Sequence, residues 1–441
     1  MELLLFIIAL VQFFIAILLI RTLVHPIVIL KGAFTISALV LMFYSKIWGM
    51  NISLRTVIIL ASALLWVDFG YIIGSINTKA KKRLNILKDN INQVKEISTN
   101  GAIVFFVFVL GVIIFFLSFG RQYLQLDSGL NDLSSSIINY KVAQRKGDIE
   151  SIGLLQYAVT FCTVIGVVYT YATVMECFRN KFSSKVIILS LPVISVLALN
   201  YLTGRRAIIL TVIVVAFIIM YENYIRKHSK VPIKTQLKFL FYGILFVSIF
   251  LYLFIFLGQL FNKAGNSGPL NSIAIYLSGG IVAFDKVYDM YAYSSDVFGQ
   301  NILRIMYKLL NVLPGVNFPV DETISSSISN GYNFVTNVYT VNLHYAADFG
   351  YTGIVLCNIL IGWFFAFIYK NSRKELYLGF WSVLYAFFVM RLISYTGAEK
   401  FFIAMPLNIQ YVVYLLIIFN SGLLYKKVGR SKHNFRRGLG K

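Results

Sequence analysis

Residues 101–119 read GAIVFFVFVLGVIIFFLSF, an apolar run with no charged residue and no proline. A helix rises about 1.5 Å per residue, so such a run covers a hydrocarbon core of about 30 Å. Ten further apolar runs lie on either side of it, at 2–20, 27–44, 55–76, 151–175, 185–203, 206–222, 238–258, 341–369, 377–395 and 403–424. This pattern predicts an all-α polytopic membrane protein with about 11 transmembrane helices. The first run follows Met1-Glu2 without a basic leader or a clear small-residue cleavage site, so it reads as a span rather than a cleaved signal.

Composition agrees with this reading. The 441 residues are 58% hydrophobic and 13% charged, with a mean hydropathy of +0.76. Soluble globular chains are about one quarter charged, and disordered ones are poor in apolar residues. The three cysteines, Cys162, Cys177 and Cys357, sit in or beside apolar runs and have no metal-ligand spacing. No metal or other cofactor is implied.

Lys and Arg number 40 against 18 acidic residues, a net charge of +22. Nucleic-acid binding is one use of such a charge, but the arrangement points elsewhere. Twenty-six of the basic residues fall in one alternating set of connections: Arg21 and Lys31, then 77–100, 176–185, 223–238, 370–376, and the tail from Lys426. The other set holds 14. The positive-inside rule makes the richer set cytoplasmic, with the N-terminus outward and the C-terminus inward. Lys79-Ala80-Lys81-Lys82-Arg83 and Lys426-Lys427 then anchor beside anionic membrane lipid. No folded binding module surrounds the basic tail, so no nucleic-acid partner is expected.

The chain divides into residues 1–258 with eight spans, a large outer loop at 259–340, three spans in 341–424, and a basic cytoplasmic tail at 425–441. The loop is rich in Tyr, Phe and Ile, which argues for order. Within it Ile302, Ile305, Met306, Leu309, Leu310 and Leu313 recur at helical spacing, with Arg304 and Lys308 on the opposite face, the pattern of an interfacial helix. Asp285 and Asp289 are four apart, with Tyr288 and Tyr291 nearby. The segment 120–150 is another candidate for a partial helix, flanked by Arg121 and Arg145.

Three stretches stand out chemically. Gly204-Arg205-Arg206 places two guanidiniums at an outer turn, where paired arginines run against the charge bias and suit phosphate oxygens. Snorkelling to lipid headgroups is the alternative. His344 and Asp348 lie four apart in a polar, aromatic segment that feeds into an apolar run; the acid can orient the imidazole, or simply cap a helix. Arg391 lies near the end of its run, followed by Tyr395, Thr396, Gly397, Glu399 and Lys400; an intramembrane charge of this kind usually faces the protein interior. Asp68 reads as a helix-pairing partner, and Gly70-x-x-x-Gly74 as a packing motif.

His25-Pro26, Thr203-Gly204-Arg205-Arg206-Ala207, Asn337-Val338-Tyr339-Thr340 and Ala347-Asp348-Phe349-Gly350-Tyr351-Thr352-Gly353 together resemble the O-antigen polymerases, the Wzy-type oligosaccharide repeat-unit polymerases. Span number and the long outer loop extend the resemblance to the whole chain as architecture. The resemblance implies a metal-independent, GT-C-like glycosyltransferase of the bacterial inner membrane, with its active site facing the periplasm. Its donor and acceptor would be undecaprenyl-pyrophosphate-linked oligosaccharides, its product O-antigen or capsular polysaccharide, and a chain-length regulator a possible partner. Arg205, Arg206 and Arg391, joined by Arg121, Arg145 and Arg304, would neutralise the departing pyrophosphate. His344, Asp348, Glu399 and Asp289 are candidate general bases. Tyr339, with Tyr288, Tyr291 and Tyr332, is placed to stack on sugar. An O-antigen ligase, or a lipid-linked oligosaccharide flippase, is the alternative.

Overall fold

A computed structural model of the chain describes residues 1–76, 96–124, 153–180, 183–203, 205, 207–227, 268–319 and, with short interruptions, 324–426, together with isolated positions between 232 and 252. Among the described residues the helices are α1 (Glu2–Ile20), α2 (Pro26–Trp48), α3 (Leu54–Ser75), α4 (Thr99–Leu124), α5 (Gly153–Asn180), α6 (Ser184–Leu202), α7 (Ala207–Lys227), α8 (Pro269–Tyr291), α9 (Arg304–Leu310), α10 (Val341–Ser372), α11 (Phe380–Ile393) and α12 (Met405–Asn420). A small antiparallel pair, β1 (Ile328–Ser329) and β2 (Val335–Thr336), precedes α10.

Eight of these helices, α1 to α7 and α10, are long and apolar enough to cross a membrane; α11 and α12 are shorter apolar helices. The chain is thus an all-α, membrane-embedded protein. Most of the apolar run at 238–258 and the segment 125–150 lie outside the described residues. Large apolar side chains such as Leu18, Ile58, Ile114 and Leu356 point away from the bundle and are exposed. Hydrocarbon rather than water accounts for so much outward-facing apolar surface.

Polar pins fix how the helices meet. Lys31 belongs to the basic connections by sequence, but it lies inside α2, where its ammonium donates to Asp68 of α3 (2.5 Å). That ion pair is the helix-pairing role expected of Asp68. Gly70 packs against the α10 backbone at Ile359, so any side chain there would force the helices apart. α8 falls within the segment expected to be a loop, yet it runs for 23 residues beside α2. Its start is held by Trp48, whose indole donates to Asn271 (2.7 Å). Its far part is held by Asp285, which accepts from the Ser53 backbone N–H (2.7 Å), the Ser53 hydroxyl (2.6 Å) and the Thr56 hydroxyl (2.7 Å).

The connections sort into two ends. At one end the turn between α1 and α2 meets α7 through the Tyr221 hydroxyl and α11 through the Tyr385 hydroxyl, while Glu375 accepts from the first N–H groups of α11. At the same end Glu96, beside the start of α4, pairs with Lys185 (3.2 Å) and Lys426 (3.4 Å), and Tyr425 senses Glu375. The connections carrying Arg21, Lys185, Arg373 and Lys426 therefore gather on one side of the bundle. The turn between α2 and α3, which meets α8 through Ser53, lies at the other, and the connection after α11 reaches α2 at Ser37 between the two.

α10 is two helices. Phe349 (φ −142°, ψ 18°) and Gly350 (φ 59°, ψ −145°) interrupt it. Asn342 and Asn358 are 16 positions apart, about 24 Å along a straight helix, yet Asn358 Nδ2 donates to Asn342 Oδ1 at 2.8 Å. The limb 341–348 therefore doubles back along 351–372. Gly350 makes this possible: its φ is left-handed, and a Cβ there would collide with the Tyr293 ring. Gly350→Val should destabilise the protein by at least about 1–2 kcal/mol, the cost of a left-handed β-carbon alone. The same measurement on Gly111→Ala, at an open position of α4, should show no loss. Thermal unfolding in lipid nanodiscs followed by tryptophan fluorescence compares the two, and equal melting temperatures would mean the reversal is not rigidly held.

Candidate functional site

The connection between α11 and α12, residues 394–404, is built around Glu399. Its carboxylate accepts the backbone N–H groups of Phe401 (2.9 Å), Phe402 (2.9 Å) and Ile403 (2.6 Å), and the Tyr345 hydroxyl (3.0 Å) from the doubled-back limb. Burial pushes the Glu399 carboxyl above its usual range, against the pull of these donors. Asn408 of α12 ties the same strap from below, its amide donating to the carbonyls of Lys400 (2.9 Å) and Phe401 (3.0 Å). Thr396 donates to the Leu277 carbonyl of α8 (3.1 Å) and meets the Ser37 hydroxyl of α2 (3.0 Å).

Cations converge on this strap. Arg391, in the last turn of α11, donates to Asn408 Oδ1 (3.0 Å) and lies over two rings, 5.6 Å from the centre of Phe387 and 5.7 Å from that of Tyr411. Its Nε is buried without a hydrogen-bond partner. Arg205, from the turn between α6 and α7, reaches the Thr160 hydroxyl of α5 (3.4 Å). Arg391 and Arg205, nearly two hundred positions apart in sequence, both act electrostatically on the Tyr411 hydroxyl. Lys400, half-buried, is the third: burial and the neighbouring Arg391 push its ammonium down to about 8.

Among the described residues no carboxylate makes an ion pair with Arg391 or Lys400. Glu399 acts on Arg391 electrostatically, but its oxygens are occupied by the strap. Like charges held together in a poorly solvated place are costly unless an anion joins them. The arrangement therefore suits an anion with several oxygens, which guanidiniums bind in forked fashion.

The other expected residues are dispersed. Asp348 is a pin: one oxygen accepts from the Ser295 hydroxyl (2.6 Å) and from the backbone and side-chain nitrogens of Asn301 (3.0 and 2.8 Å), the other from the Ile302 N–H (2.8 Å). It caps no helix: the backbone N–H groups it accepts belong to the turn ahead of α9, and Asp348 itself lies inside α10. His344 is buried on the same limb, and Asp348 spends its oxygens elsewhere. Asp289 is exposed and pairs with Arg55, whose guanidinium lies 5.0 Å from the Tyr288 ring centre. Tyr339 and Tyr291 are buried; Arg304 opens α9, a helix with no buried residue. Arg121 falls in the last turn of α4. Arg145, Arg206, Gly204 and Tyr332 lie outside the described residues. Tyr411, Asn408 and Thr160 were not singled out in sequence, since each sits within an apolar run.

Among the described residues no group of three His, Cys, Asp or Glu side chains is placed to hold a metal ion. Comparison with known proteins returns no match among family models, curated proteins or solved structures.

The Asp348 geometry gives a direct test. Asp348→Ala removes the acceptor shared by four donor groups of the 295–302 segment, at about 1–3 kcal/mol for each that is left buried without a partner. The expected result is a lower melting temperature and faster proteolysis within that segment, with Asp348→Asn intermediate. Wild-type stability with lost activity would return Asp348 to the role of a base.

Proposed function

We propose that this protein is a membrane glycosyltransferase acting on polyprenyl-diphosphate-linked oligosaccharides, in the manner of the Wzy-type polymerases. The observation that carries this reading is the convergence of Arg205 and Arg391 beside Tyr411, next to a carboxylate whose oxygens are occupied. A diphosphate is a good leaving group once its developing charge is neutralised, and preorganised guanidiniums do this without a metal ion. Being anchored through Asn408 and Thr160, they need little rearrangement when the charge appears. On this reading the end of the bundle carrying Arg21, Lys185, Arg373 and Lys426 faces the cytoplasm and the cation site faces outward. The lipid tail of the donor would lie against the apolar bundle surface, with its diphosphate at the level of Arg391. The sugar departs toward an acceptor hydroxyl held under α8 and the 294–319 segment. A base within hydrogen-bond reach of that hydroxyl would assist. Among the expected candidates we assign that base to His344, whose imidazole can both accept and release a proton.

Replacing Arg391 by Ala should remove long glycan chains while protein abundance and single-unit products persist. Arg391→Lys, which keeps charge but loses the fork, should retain a small fraction of polymer. Arg205→Ala should behave as Arg391→Ala does. Gel profiles of surface polysaccharide measure all three. Normal ladders in both Ala variants would overturn the reading. In a deletion strain a single capped unit supports polymerase, and no capped unit supports a ligase or flippase.

A further inference from the structure

We infer that the base of the doubled-back limb binds one small monovalent anion, of the size of chloride, in the interior of the bundle. The site is separate from the cations around Tyr411 and does not depend on the diphosphate reading.

The limb runs from Val341 to Asp348, eight residues, with Thr340 at its N-cap. Thr340 and Asn342 are fully buried. An N-cap threonine ordinarily accepts from the second or third N–H of its helix. Thr340 makes no such bond, and its hydroxyl is buried without a partner. The first and third N–H groups are used, Val341 donating to the Tyr395 carbonyl (3.2 Å) and Leu343 to that of Thr340 (3.1 Å). Between them the Asn342 N–H finds no backbone acceptor among the described residues, and the hydroxyl that would ordinarily take it stands apart.

The side-chain nitrogen of Asn342 is a third unpaired group. Its direction is fixed by its neighbours. Asn358 Nδ2 donates to the Ile354 carbonyl (2.7 Å), which leaves the Asn358 amide no freedom to flip. The same nitrogen donates to Asn342 Oδ1 (2.8 Å), and the Tyr395 hydroxyl approaches that oxygen too (3.2 Å). Asn342 therefore presents its oxygen to these groups and turns its amide nitrogen away from them. Three polar groups on residues 340–342 stand unpaired in the interior, a state native proteins avoid.

Their chemistry selects the occupant. The backbone N–H, the amide nitrogen and the hydroxyl can all donate, and the limb adds the positive end of its dipole. An anion needs donors alone. A water molecule must place two hydrogens as well, and the acceptors closest in the chain are engaged: the Tyr395 carbonyl by Val341, the Thr340 carbonyl by Leu343, Asn342 Oδ1 by Asn358. The acids attached to this limb, Asp348 and Glu399, are held by other donors. A β-carbon at Gly280 of α8 would lie 2.1 Å from the Thr396 carbonyl oxygen and 3.2 Å from the Thr340 nitrogen, so α8 and the strap close directly on the cap. Such close backbone contact suits a single atom rather than a phosphate.

The test is thermal unfolding of the full chain in nanodiscs, at constant pH and ionic strength, with sodium chloride replaced stepwise by sodium gluconate. Chloride should raise the wild-type melting temperature in a saturable manner, and bromide should do the same. Thr340→Val removes one donor to a charged ligand, so the chloride concentration giving half the rise should increase at least about tenfold. Asn342→Asp keeps an acceptor for Asn358 and Tyr395 and supplies the negative charge itself, so its melting temperature should not respond to chloride. Arg391→Ala should keep the wild-type response. Anomalous scattering from crystals grown in bromide should place one ion beside Asn342. Equal wild-type melting in chloride and gluconate overturns the site, as does a response that Thr340→Val and Asn342→Asp both retain. A response lost in Arg391→Ala belongs to the cations around Tyr411 and overturns it too. Should the Thr340 and Asn342 variants fail to fold, the bromide position decides alone, and no peak beside Asn342 sinks the proposal.

Discussion

Backbone N–H and C=O groups cannot be left unpaired inside a hydrocarbon layer, and a helix that reverses direction within the bundle frees several of them. The Phe349–Gly350 reversal imposes this demand, and much of the surrounding structure meets it. The Val341 N–H finds the Tyr395 carbonyl (3.2 Å), and the Tyr395 hydroxyl reaches Asn358 (2.6 Å) and Asn342 (3.2 Å). The limb repays its neighbours in kind. Tyr345 supports Glu399, Asp348 organises 295–302, and the Ala346 carbonyl accepts from the Tyr293 N–H (3.0 Å). Two connections, one between α8 and α9 and the other between α11 and α12, thus depend on eight residues of doubled-back helix. Through Glu399 and the strap, so does the placement of Lys400.

Much of this fold was legible in the apolar runs. Residues 2–20 coincide with α1, and the runs at 55–76 and 185–203 agree with α3 and α6 to within a residue or so. Lipid requires long uniform helices, and uniformity is easy to see. The reversal was not legible. Its polar residues are the kind that begin a helix, so Asp348 and His344 looked like chemistry at a helix start. The length of α8 was hidden for a related reason: its polar and charged positions, such as Asn271 and Asp285, serve as pins to other helices and dilute its apolar character.

The cation site was half legible. Arg205 and Arg391 were conspicuous because charge in or near a span is costly and rarely idle. Their proximity was not, since it depends on α5, α6, α11 and α12 meeting around Tyr411, and no periodicity encodes that. Glu399 misled in the opposite direction. An acid beside a cationic stretch suggests a base, yet three backbone N–H groups claim it. An acid a few residues ahead of a helix start, here Glu399 six before Met405, is as apt to organise the approach to that helix.

The cations around Tyr411 also bear on the protein at rest. Arg391 acts unfavourably on the Lys400 ammonium, so an anion that binds beside them shifts the balance toward the folded form by mass action. Outside the cell this makes the choice of salt a structural variable. In detergent with only weakly coordinating anions that repulsion is left unopposed, whereas phosphate-containing media offset it.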